Sequence, residues 1–154
     1  MLQIKPFMQK TGFSCGPASL KIVLEYYGIH KTEKQLVRLT NCTYYGTNAK
    51  NLLKTAEILG LKGFIIENAK LNDIKKYVVN KKIPVIVDWF SENDGHYSVI
   101  VDINKENIYF IDPEIGHVRA MKIEDFLRLW FDFPFPYIRS KNDLLLRTMI
   151  VLYK

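Results

Sequence analysis

The hydrophobic period of this chain changes near Gly60, and that change limits the folds open to it. Before Gly60, apolar residues recur at helical spacing. Leu20, Val23, Leu24 and Tyr27 form one run, ended by Gly28; Leu52, Leu53, Ala56 and Leu59 form another, ended by Gly60. Ser14 is placed to cap the first helix, with Pro17 tolerated in its first turn. Thr32 opens a second, short helix to Leu39, and Thr47 or Asn48 opens the third. After Gly60, short β-branched and apolar runs bounded by turn residues predict strands over 63–67, 84–90, 96–103, 107–112, 117–123 and 147–153, with helices over 71–80 and 124–131. Strands in succession with short links favour antiparallel pairing. The reading is an α+β fold in one domain, 1–154, with a helical half over about 1–60 packed on an antiparallel sheet half over about 61–154. A cleft between the halves is the natural place for a site.

Composition narrows the function. A chain of 154 residues with 48% hydrophobic content supports one packed core. The net charge of +6 favours an acidic peptide or a negatively charged surface. Its densest run, Lys75, Lys76, Lys81 and Lys82, flanks a helix pattern and reads as a solvated face, not a nucleic-acid patch. Two cysteines, Cys15 and Cys42, sit in no metal-type or redox spacing, and no apolar run approaches a membrane span. The expectation is a cytoplasmic protein with reduced thiols, no metal and no cofactor.

The chemistry concentrates around Cys15, in Ser14-Cys15-Gly16-Pro17-Ala18. A helix N-terminus carries partial positive charge and unpaired N–H groups, which favour a thiolate and can bind an oxyanion. Gly16 leaves the approach to sulfur open, and Gln9 offers a side-chain amide as a second oxyanion donor. Of three histidines, His96 follows Gly95 and opens an apolar strand, where rigid backbone would hold an imidazole at a cleft edge. His30 lies in a polar turn after the first helix, and His117 follows a glycine turn. Asp112, fixed by Pro113 at a strand end, is the candidate orienting acid, with Asp88, Asp94 and Asp102 as competitors. Trp89, Gly95 and Tyr97 flank the histidine and are candidate substrate contacts alongside Gly16. Asn93-Asp94-Gly95 reads as a tight turn, Cys42 as structural, and the aromatic stretch Trp130, Phe131, Phe133, Phe135 and Tyr137 as a packed surface loop.

These motifs together resemble the bacteriocin-processing, or double-glycine leader, peptidases of the papain-like superfamily. The resemblance runs through Gln9 with Cys15-Gly16-Pro17-Ala18, Gly46-Thr47, 56–61, Pro84-Val-Ile-Val, His96-Tyr97, Asp112-Pro113 with Gly116, and 124–130. It implies a papain-like fold, with Cys15 as nucleophile, His96 as base, Asp112 as orienting acid and Gln9 as oxyanion donor. It also implies cleavage of a leader peptide after Gly-Gly, no cofactor, and an ABC exporter as a partner at the inner face of the membrane. A leader-docking module without turnover and a thiol acyltransferase using the same dyad are the alternatives.

Overall fold

The computed structural model describes all residues, 1–154. Three helices come first: α1 (Cys15–Tyr26), α2 (Glu33–Leu39) and α3 (Ala49–Ile58). Their ends follow the expected chemistry. Thr32 forms a reciprocal capping box with Gln35 at α2, and the Asn48 side chain accepts from Asn51 N at α3. Gly28 and Gly60 terminate helices with φ of 79° and 100°, a region that penalises any side chain. Ser14 departs from its expected role. It occupies the N-cap position of α1, but its hydroxyl makes no cap bond and donates to Glu33 instead.

The second half supplies β1 (Lys62–Ile66), β2 (Val85–Ser91), β3 (Asp94–Ile103), β4 (Asn107–Asp112), β5 (His117–Lys122) and the last strand. Between β1 and β2, α4 (Leu71–Ile74) runs into a π-helical turn at Lys75–Asn80, where Lys76 and Lys81 lie over the Tyr77 ring on the outer surface. Helix α5 (Ile123–Leu129) stops earlier than expected. Phe131 instead joins β6 (Phe131–Asp132), which pairs with β7 (Leu145–Leu146). The last strand is β8 (Thr148–Tyr153).

All pairings in the main sheet are antiparallel, in the order β1-β8-β2-β3-β4-β5. Both faces of the sheet are covered. Ile86, Val99, Ile111 and Ile150 pack under α1–α3; Val87, Ile100, Phe110 and Met149 pack with Ile74, Phe126 and Trp130 from α4 and α5. This second helical layer explains why the central strands read as nearly continuous apolar runs instead of alternating. The predicted surface loop is accordingly split. Trp130 is fully buried and donates to Thr148 O, whereas Phe135 and Tyr137 are exposed. No helix is long and apolar enough to cross a membrane.

The hairpin between β2 and β3 also differs from expectation. Its turn lies at Glu92–Asn93, with Glu92 at a φ of 56°, and Gly95 is already in the ladder opposite Phe90. The reason is tertiary. The Asp132 carboxylate occupies the space where a Cβ on residue 95 would stand.

Candidate active site

Helix α1 brings Cys15 to the mouth of a cleft, half-buried at the first turn. The loop before it is clamped by Glu33, a buried carboxylate that accepts from Ser14 Oγ at 2.6 Å and from Lys10 N at 3.0 Å. That clamp went unread in the sequence, where Glu33 looks like an ordinary first-turn acid of α2.

Strand β3 brings His96 to the same small cavity as Cys15. Its Nε2 meets Asp112 Oδ1 at 2.5 Å. Asp112 is fully buried at the end of β4, and also accepts from Arg119 Nη1 and from Glu114 N, each at 3.0 Å. Burial on its own would lower the His96 pKa. The hydrogen bonds and charges of Asp112 and Cys15 overcome it and raise the value to about 10. Burial likewise works upward on Asp112, but His96, Glu114 N and Arg119 hold its carboxyl below the usual range. Trp89 meets the imidazole edge-on, with ring centroids 5.7 Å apart, and its indole N–H donates to Ser98.

Gln9 lines a small cavity of about 170 Å³ with Cys15, His96 and Gly95. Its backbone N–H is tied to Pro113 O, which fixes this loop against the Asp112 turn. Its side-chain amide donates to Thr11 O at 2.7 Å and its buried Oε1 has no partner. On the other side of Cys15 a larger cavity of about 1030 Å³ opens, walled by Tyr44, Thr47, Tyr97, Phe133 and Phe135.

Two of the candidate substrate contacts lie outside the lining of both cavities. Trp89 is 2% exposed and sits behind His96, outside both cavities. Gly16 is buried under Thr47, whose Cγ2 lies 2.5 Å from where a Cβ would stand, so its smallness serves helix packing and not access to sulfur. Gly95 and Tyr97 do line the cleft. Of the competing acids, Asp102 pairs with the N-terminal ammonium at 3.2 Å, whereas Asp88 and Asp94 line the cleft, Asp94 accepting from Gly95 N. His30 and His117 are exposed. Cys42 donates to Phe13 O; burial, with the charges of Cys15 and Glu33, pushes its thiol up to about 11, which disfavours the thiolate. His96, Asp112 and Glu114 bring three metal-type donor atoms within 4.8 Å of one another, but both Asp112 oxygens are already engaged by His96 and Arg119.

A carboxyl pair beside Cys15 escaped the sequence reading. Asp88 on β2 is 4% exposed, and the Asp132 carboxylate stands close to its own. Burial first, and then the negative charge of Asp132, pushes Asp88 well above the ordinary carboxyl range. Such a group disfavours folding. Below about pH 4 it is protonated in both states; above that the unfolded chain ionises first, so the cost grows with pH through the raised folded value. Asp88→Asn is therefore expected to raise Tm by about 4 °C or more at pH 8, with the gain shrinking toward pH 4. Thermal melts at both pH values check this; equal shifts at the two would show that the carboxyl is not strained by its charge.

A model of the peptidase C39 family matches residues 3–133. An uncharacterized protein of Methanothermobacter thermautotrophicus is 32% identical over 123 residues, 80% of each chain. The lactococcin-G-processing and transport ATP-binding protein LagD of Lactococcus lactis subsp. lactis is 29% identical over 91% of this chain, which spans only 20% of LagD. Among solved structures, a double glycine motif protease from an AMS/PCAT transporter, in complex with the leader peptide, superimposes with a TM-score of 0.73. It has 23% identity, over 99% of this chain and 92% of that one.

Proposed function

The chain belongs to the peptidase C39 family and is a cysteine peptidase, and we propose that it cuts a leader peptide after a Gly-Gly pair, with Cys15 as nucleophile. The observation that carries this is Cys15 and His96 lining one small cavity, with His96 bonded to Asp112 behind it and Cys15 also facing the larger cavity.

Sγ stands at the positive end of α1, in the small cavity it shares with His96. Sγ attacks the scissile carbonyl carbon, and the oxygen takes up the electron pair. Cys15 N–H and the Gln9 amide, turned from Thr11 O, hold that oxyanion. As the C–N bond breaks, His96 gives its proton to the leaving amine, and a thioester remains. Water then attacks the thioester carbonyl while His96 takes its proton, and the thiolate leaves. Asp112 keeps the imidazole oriented throughout. Glycine at the cut fits because the space between Gly12 and Gly95 beside the sulfur is narrow. In this reading 1–154 acts as one domain on the cytoplasmic side, and an exporter of the processed peptide is the expected partner, as the likeness to LagD supports.

The test is incubation with a synthetic leader peptide carrying Gly-Gly before its cargo, followed by mass spectrometry. Cleavage after the second glycine, abolished by one equivalent of iodoacetamide located on Cys15, is expected. An intact peptide across a panel of Gly-Gly leaders, or cleavage that survives complete Cys15 alkylation, would sink the proposal.

A further inference from the structure

The sign of the cleft runs against the sign of the molecule. The chain carries a net charge of +6. Yet the larger cavity is lined by Glu67, Asp88, Asp94 and Asp132 against a single base, Lys50, and the smaller one by three acids with no lysine or arginine. The surplus positive charge that suggested an acidic peptide therefore lies away from the site.

Within this acidic cleft one spot is built from buried groups. Asp88 stands opposite Tyr97 on β3 and opposite Thr148 on β8, so three strands place a polar row at the end of an apolar face. Asp88 Oδ1 and Thr148 Oγ1 are buried and have no hydrogen-bond partner, and both residues are 4% exposed while lining the cavity. Unsatisfied buried acceptors are rare because each forfeits its hydration. Asp132 closes the spot from β6, held by Phe133 N at 2.7 Å. Phe133, Pro134 and Phe135 continue as an apolar wall. A carboxyl pair and a hydroxyl at the end of an apolar wall suit a long side chain with a cationic tip, whose methylenes pack while its head donates several hydrogen bonds.

We propose that Asp88, Asp132 and Thr148 form a subsite that takes the ammonium or guanidinium of a lysine or arginine in the bound peptide. The assignment rests on the peptide-cleaving reading, and makes this cleft selective for basic peptides.

The experiment measures binding apart from cleavage. Gly-Gly peptides with one lysine walked through the flanking positions, and matched peptides with norleucine there, are titrated into Cys15→Ala protein by fluorescence anisotropy. At one position lysine should bind at least ~10-fold tighter than norleucine, and that ratio should fall below twofold in protein also carrying Asp88→Asn and Asp132→Asn. A ratio near one at every position overturns the subsite, as does a preference that persists in the Asn variants. If those variants do not fold, the lysine-to-norleucine ratio on Cys15→Ala protein alone decides, with glutamate at the same position expected to bind weakest. Equal binding alongside normal cleavage by the unmodified protein would remove the subsite and leave the peptidase. Lysine preference without any cleavage would do the reverse.

Discussion

Replacing Cys15 with alanine is expected to lower kcat/KM on a Gly-Gly peptide by about 10⁴-fold or more, while peptide binding and Tm change little. The loss is large because every covalent step runs through Sγ; what is left is an oxyanion site and a positioned water. The fold should not notice. Cys15 is half-exposed at a helix end, and the loop that holds it is fixed by Glu33 through Ser14 and Lys10 and not by the thiol. A second readout separates a working pair from mere proximity. Cys15 raises the His96 pKa through a hydrogen bond and through charge. In the alanine variant the imidazole should therefore titrate below its value of about 10, which NMR of the His96 ring would record. A variant that keeps more than a hundredth of the activity, or an unmoved His96, would contradict the assignment.

Asp112→Asn is expected to cost about 10²–10⁴-fold in kcat/KM. Asparagine keeps the shape and an acceptor but removes the charge that helps to hold His96 protonated. The sign on pH follows. Without the carboxylate the imidazolium loses its proton more easily, so the alkaline limb of the kcat/KM profile should move toward lower pH. Stability should respond with the opposite dependence. Asp112 is depressed in the folded state, so its contribution is present above the ordinary carboxyl pKa and fades as pH falls through the lower folded value. The variant should thus lose most relative to the parent near neutrality and least in acid. A pH–rate profile with an unshifted alkaline limb would assign the His96 charge to Cys15 alone.

Much of the proposed site was legible because each residue of the proposed triad stands at an element boundary with a local signature. Cys15 precedes Gly-Pro-Ala at a helix start, His96 opens an apolar run, and Asp112 precedes a proline that ends its strand. The helix caps at Thr32 and Asn48 were legible for the same reason. What was hidden depends on residues far apart in the chain. Nothing near Asp88 announces Asp132 or Thr148, which reach it through β6 and through the insertion of β8 beside β2. The hairpin turn was misplaced by the appeal of Asn93-Asp94-Gly95, whereas Gly95 answers to the carboxylate packed on it. Trp89 reads as a candidate substrate contact in the sequence because it stands just before the turn that leads to His96, yet its pairing with His96 across the ladder puts it behind the imidazole.

The place of β8 has a consequence for the timing of synthesis. Residues Cys15, His96 and Asp112 all leave the ribosome before Thr148–Tyr153, and that late strand is the only bridge between β1 and β2. Until it arrives, β1 at the edge of the sheet has no partner and β2 keeps an open side, and pairing across so long a separation is slow. The strands that carry His96 and Asp112 pair with each other without β8. The place of β1, and the end of the cleft at Asp88 and Thr148, are completed only when that last strand arrives.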